Sequence, residues 1–311
     1  MKRTSIIVII AALIVLAGMS AYFLLNRSSA IVDTTDTGVG TTISTTTTNT
    51  TWATSSAQMT GDQNKPETII GKSAGGRDIL AYHYGTGDKE ILFVGGIHGG
   101  YEWNTTLVAY ELMDYLEANL DAVSANEKVT IIPTLNPDGL EKIVGTIERF
   151  SAADVPTPEN ATVPGRFNAN NVDLNRNFDC DWQAKGTWQS TTVNGGSAVF
   201  SEPETQAIRD YVNAHTLAAV VVWYSAAGGV FASNCHDGVL PETNTITGIY
   251  AQASGYSAYE SFDFYEITGD MVNWLAKNDI PAISVLLTNH TDTEWSKNIA
   301  GVKALLTYYA K

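Results

Sequence analysis

Positive charge is scarce in this chain: 18 Lys and Arg stand against 33 Asp and Glu, for a net charge of −15. Such an acidic surface repels phosphate backbones and anionic lipid headgroups, which argues against a nucleic-acid binder. Charge of either sign is thin, at 16% of residues, so a dense polar stretch stands out. Cysteine is rarer still, with Cys180 and Cys235 alone. They could pair in an oxidising compartment or remain two free buried thiols, and the sequence leaves both readings open. No internal repeat is visible. With 311 residues there is room for one large domain with a sizeable core, plus extras.

The extras lie at the front. Lys2 and Arg3 precede an apolar run from Ile6 to Leu25, interrupted by Gly18 and Ser20. That is the length a helix needs to cross a hydrocarbon layer of roughly 30 Å. What the run lacks is a small-residue cleavage site around Tyr22–Asn26. Residues 1–26 are therefore expected to be an uncleaved transmembrane anchor, N-terminus in the cytoplasm and the bulk outside, at the cell surface or secreted. Residues 27–65, centred on "TTISTTTTNTTWATSS", hold too little apolar side chain to offset the entropy of ordering them, and read as a disordered stalk. Asn49 is a glycosylation acceptor only where the host glycosylates. Residues 66–311 remain as the folded domain.

Within it, strand-length apolar runs recur at 79–85, 90–97, 129–135, 218–226 and 282–288. Several are apolar throughout rather than alternating, which suits strands covered on both faces. Helical spacing appears at 104–120, through Leu107, Val108, Leu112 and Leu116, and again in the C-terminal "WSKNIAGVKALLTYYAK". A further helix is expected from "SEPET", with Ser201 as its cap and Glu204 completing a capping box. Strands alternating with helices indicate an α/β sheet layered by helices. Ligands in such folds sit outside the carboxyl ends of strands, where His98 and the loop after Leu135 fall.

The stretch "GGIHGGYEWN" (95–104) sets His98 and Glu102 four residues apart after one such run. The pair could be half of a metal site or a hydrogen-bonded turn. Farther on come "TLNPDGL" (134–140) and "GRFNANNVDLNRNFDCDW" (165–182), in which Asn175 and Arg176 follow Arg166 by ten residues. A planar guanidinium fork fits a carboxylate bidentately, and a side-chain amide adds another donor.

"GGIHGGYE", "TLNPDG", "NVDLNRNF" and "FSEPET", in this order, resemble the M14 zinc carboxypeptidases (carboxypeptidase A-like), most of all a bacterial branch of secreted or anchored members. The resemblance implies a mixed, mostly eight-stranded sheet flanked by helices, a zinc cofactor, and action on the C-termini of peptides or cell-wall peptides. It assigns His98 and Glu102 as zinc ligands, although the usual spacing is H-x-x-E and this chain has H-x-x-x-E. Asp173 matches the carboxylate that orients the first histidine. Asn175 and Arg176 match the pair that grips the substrate carboxylate, Arg166 the arginine that stabilises the oxyanion, and Tyr265 the tyrosine that closes over substrate. Val272 and Asn273, just before Trp274, fall where the terminal side chain is read, implying a neutral or apolar preference.

Two positions break the pattern. The third zinc ligand, a histidine at the end of run 218–226, is replaced by Tyr224, and the glutamate base expected in run 282–288 is replaced by Leu286. A neutral phenol is a poor zinc ligand, and leucine accepts no proton. His236 and His290 are the candidate substitute ligands, and Asp263 and Glu266 the candidate substitute bases. Two functions follow: a carboxypeptidase with impaired turnover, zinc being weak or absent, or a non-catalytic domain that binds peptide C-terminal carboxylates.

Overall fold

The computed structural model describes residues 66–311; the expected anchor (1–26) and stalk (27–65) lie outside the described residues. Eight strands form one mixed sheet. In chain order they are β1 (Glu67–Lys72), β2 (Asp78–Gly85), β3 (Lys89–Val94), β4 (Glu127–Ile132), β7 (Leu217–Ser225), β8 (Gly229–Ala232), β9 (Ser257–Tyr259) and β10 (Ala282–Leu287). Across the sheet the order is β1-β2-β4-β3-β7-β10-β8-β9. The central β4, β3, β7 and β10 run parallel, with antiparallel pairs at β1–β2, β2–β4 and β10–β8. A separate hairpin joins β5 (Lys185–Trp188) to β6 (Thr191–Asn194). The expected mixed sheet of eight strands is what forms.

The five apolar runs became β2, β3, β4, β7 and β10, the last four buried on both faces of the sheet and β2 mainly on one. Along β3, Ile91 and Phe93 enter one core while Leu92 and Val94 enter the other. The first core packs under α1 (Trp103–Ala118), α4 (Pro241–Ser254) and α6 (Trp295–Tyr309); the second under α3 (Pro203–Ala214) and α5 (Met271–Lys277). Each fully buried Leu, Ile or Phe contributes roughly 1.5–3 kcal/mol, so these layers dominate stability. Among the described residues no helix is long and apolar enough to cross a membrane.

Elements not read from the sequence include β1, β8, β9, the β5–β6 hairpin, α4, α5 and α2 (Pro137–Val144). The "NPDG" motif turns out to build α2. Asn136 caps it, accepting from Gly139 N at 2.8 Å. Asp138 reaches back to the β1–β2 turn, taking hydrogen bonds from Ser73 Oγ, Gly75 N and Arg77 Nη1.

The expected Ser201 cap is corrected: α3 begins one residue later, with Glu202 at the N-cap position and no capping side chain. Pro203 fixes the first helical residue. The motif's carboxylates instead serve the asparagine loop at 168–171, of which Asn168 is buried. Asn168 donates to Glu202 and Glu204, and Asn170 to Glu202. An unpaired buried amide would cost about 1–3 kcal/mol, more than a cap contributes. Burial raises the Glu204 carboxyl to about 6.

Candidate active site

The site gathers at the carboxyl ends of the parallel strands. β3 ends at Val94, and the chain turns through Gly96 (φ +60°) and Gly99 (φ +45°) before α1. That turn buries His98 and Glu102. β7 and β10 lie side by side with Tyr224 and Leu286 as direct partners in the register. Both belong to the core face under α3 and α5, and both line one cavity of about 910 Å³ with His98, Glu102, Arg166, Asn175 and Arg176. Tyr224 stands next to His98, ring centroids 5.8 Å apart. Tyr224 therefore meets the histidine in space, and Leu286 lines the same cavity from the neighbouring strand.

His98 Nδ1 is 3.0 Å from Glu102 Oε1, and Nε2 is 3.3 Å from Asp173 Oδ1. Both contacts are short enough but out of line, so neither ring nitrogen has a hydrogen-bond partner; nor does Glu102 Oε2. Arg166 donates from Nε to Asp173 Oδ2 at 2.9 Å, and its Nη1 is 3.8 Å from Glu102. Burial alone would raise the Asp173 carboxyl, but Arg166 and then His98 hold it well below the usual carboxylate range. Arg166 lies against Trp188, 4.5 Å from its ring centroid.

Arg176 is 1% exposed. Nε and Nη2 donate to Thr187 O at 3.0 and 2.8 Å, and Nη1 donates to Asn175 O at 2.6 Å. A guanidinium has five N–H donors, so one remains on each terminal nitrogen. Tyr265 stands over it, with the guanidinium carbon 6.0 Å from the ring centroid. Burial pushes the Tyr265 phenol up, against the pull of Arg176. The Asn175 amide is largely committed within the protein: Nδ2 donates to Asp270 Oδ2, and Oδ1 accepts from Met271 N and from the Tyr224 hydroxyl at 3.3 Å. A single Nδ2 proton is left for a ligand.

Val272 and Asn273 line the cavity as expected. The substitutes fare differently. Asp263 and Glu266 are exposed on the rim, and His236 is exposed and pairs with Asp181 at 2.8 Å. His290 is partly buried, its ring 4.6 Å from that of Tyr101. His83 and His215 lie elsewhere, bonded to Thr68 and Thr130 and paired with Glu90 respectively.

Several lining residues were not read from the sequence. Asp270 is buried, caps α5 by accepting from Asn273 N, and has its carboxyl raised by burial. Its signal was available as an Asp just before a short apolar helix. The aromatic wall of Tyr101, Trp188, Phe231 and Phe262 comes from four separate segments and carries no local signal. Cys180 and Cys235 form a disulfide that also lines the cavity, which closes the alternative left open above.

Three protein donors are what a catalytic zinc takes. Here the third is a phenol whose pKa burial, then Asp270 and Glu102, raise well above 10. Among the described residues no three His, Cys, Asp or Glu side chains stand together as a metal-binding group. The donor set does not fit a three-ligand catalytic zinc, although the unpartnered atoms of His98 and Glu102 mark where two donors point.

A mixed eight-stranded α/β sheet with a His–Glu pair and an arginine-lined cavity at its strand ends is the zinc carboxypeptidase-like fold that the motifs led one to expect. Comparison with known families agrees: residues 51–293 match the model of the zinc carboxypeptidases, peptidase family M14, and the chain belongs to that family. The family acts on peptide C-termini with zinc. The chain is 29% identical over 188 residues to carboxypeptidase B of Helicoverpa zea, covering 58% of this chain and 42% of that one. It is 34% identical over 122 residues to carboxypeptidase Z of Gallus gallus, covering 35% and 18%. It thus spans less than half the length of these relatives. By structure it resembles carboxypeptidase A of Helicoverpa armigera, with TM-score 0.62, 20% identity, and coverage of 78% of this chain and 68% of that chain. It also resembles the murein-tripeptide amidase MpaA of Escherichia coli O157, with TM-score 0.53, 20% identity, and coverage of 78% and 92%.

Proposed function

We propose that this protein engages the C-terminal carboxylate of peptides, or of cell-wall peptides, through Arg176 and Arg166, and that its hydrolytic turnover is impaired. The observation that carries this reading is the pairing of Tyr224 with Leu286 beside His98. Zinc would be held weakly or not at all, because one of three donors is a protonated phenol. No group at position 286 can take a proton from water, and a positioned base contributes roughly 10²–10⁴-fold to rate. The guanidinium at 176 needs no metal to hold a carboxylate, since backbone carbonyls already orient it. Uncharged Val272 beside the aromatic wall favours a neutral or apolar terminal residue. The Cys180–Cys235 bond supports an oxidising, extracytoplasmic compartment, and the apolar run 6–25 supports anchoring there.

A second reading, a working zinc carboxypeptidase, is favoured by the unpartnered nitrogens of His98 and oxygen of Glu102. Three measurements separate the two. Purified protein should carry well under one zinc per chain. A free-acid peptide should bind at least tenfold tighter than its C-terminal amide, a preference lost in Arg176→Ala. The double variant Tyr224→His, Leu286→Glu should raise hydrolysis by at least 10²-fold. Stoichiometric zinc together with turnover that the double variant does not increase would overturn the impaired reading.

A further inference from the structure

The loop after β10 carries a histidine that the carboxylate grip leaves without a role. His290 lines the cavity, with its Nδ1 2.9 Å from Ser225 Oγ at the end of β7. Which atom donates follows from Asn104 on α1. Asn104 Nδ2 reaches the backbone carbonyls of Asn289 and Asp292 at 2.8 and 3.0 Å. Carbonyls only accept, so the amide nitrogen faces them and Oδ1 faces Ser225, 3.1 Å away. That amide oxygen only accepts, so it takes the Ser225 proton. Ser225 Oγ is left with lone pairs for the imidazole, and the ring proton sits on Nδ1.

Nε2 of the neutral ring then carries a lone pair. The carboxylate nearest to it is that of Glu159, with Oε1 3.9 Å away and no proton to give, while Glu102, His98 and Arg166 also act on the ring. Burial lowers the His290 pKa, against weaker pulls from Glu102 and Glu159, which favours the neutral ring. The same wall continues through Tyr101 to Trp188, ring centroids 5.2 Å apart, and to Arg166. His290 and the spare N–H groups of Arg176 thus belong to one cavity.

We propose that His290 Nε2 is a positioning residue that accepts a backbone N–H of the bound peptide, setting the direction in which the chain leaves Arg176 along the Tyr101–Trp188 wall. The proposal rests on the carboxylate-binding reading and gives that ligand a second anchor point. A metal-free acceptor of this kind selects peptides by a main-chain donor rather than by side chain.

The test uses calorimetric titration of the full chain with a free-acid tripeptide and its depsipeptide analogues, in which each amide N–H in turn is replaced by an ester oxygen. In the parent, one ester should weaken binding roughly three- to tenfold. In His290→Phe, which keeps the ring against Tyr101, that ester should bind as the amide does. Ser225→Ala, which frees the tautomer, should show an intermediate loss and serves also if His290→Phe misfolds. Ester effects of equal size in the parent and both variants would overturn the proposal while leaving the carboxylate reading intact. Equal affinity of the free acid and its C-terminal amide in the parent would instead overturn the carboxylate reading, and this proposal with it.

Discussion

Cys180→Ala with Cys235→Ala removes a cross-link whose worth follows from the chain it closes. The cysteines are 55 residues apart, with Cα atoms 6.2 Å from each other. The loop-closure relation for that length gives an entropy near 14 cal/mol/K, or about 4 kcal/mol at 25 °C. Both residues are 4% exposed, so little solvation change offsets it. For a domain of this size, each kcal/mol moves the melting point by about 2–4 °C, which places the double variant roughly 8–16 °C below the parent. Scanning calorimetry and urea unfolding of the oxidised parent and the variant measure this directly. The bond lines the cavity, yet Arg176 is held by Thr187 O and Asn175 O, neither of which depends on it. Affinity for a free-acid peptide should therefore stay within about threefold, by ordinary loop relaxation. A melting-point change below about 3 °C would refute the cross-linking argument. Unchanged stability with a tenfold loss of affinity would show that the disulfide, rather than the backbone carbonyls, positions the guanidinium.

Two further outcomes concern the scaffold. Burial would raise the Glu90 carboxyl, but hydrogen bonds from His215, Thr130 and Tyr211 bring it down to about 2. A depressed folded pKa contributes stability above the unfolded value near 4.5 and loses it as pH falls toward 2. The linked amount is of order 3 kcal/mol, so the parent and Glu90→Gln should differ in urea stability at pH 5–7 and converge near pH 2; a gap independent of pH would contradict this. Burial also holds His83 near 4, which adds an acid-side loss between about 6.5 and 4 in both proteins. At the site, Gly99 has φ +45°, and an added Cβ would stand 2.7 Å from Gly165 O and 2.8 Å from Gly139 C. Gly99→Ala should cost more than about 2 kcal/mol and weaken carboxylate binding with it; a melting curve matching the parent would show that the turn can relax.

The central apolar runs were legible as strands because they are covered on both faces, and the helix at 103–118 because its apolar side chains recur at helical spacing. Strand β9 was not, since its three residues are all exposed and are held by pairing with β8 and by Tyr259 stacking on Phe231. The capping reading of Ser201 failed for a tertiary reason: its hydroxyl accepts from Asn177 Nδ2 and Ser197 N, and the Glu204 carboxylate accepts from Ala74 N and Asn168 Nδ2. Asp270 went unread because its importance comes from Asn175, 95 residues away.

Taken alone, the chain of residues determined the sheet-and-helix order, the presence of Asn175 and Arg176 in the family's pattern, and the absence of His and Glu at two positions of it. These are matters of local spacing and residue chemistry. Only the tertiary structure decided that Tyr224 and Leu286 stand as register partners in the cavity His98 lines, that Cys180 bonds Cys235, and that Asn104 and His290 meet at Ser225. Each depends on strands and loops distant in the chain meeting at one end of the sheet, and no local spacing carries that information.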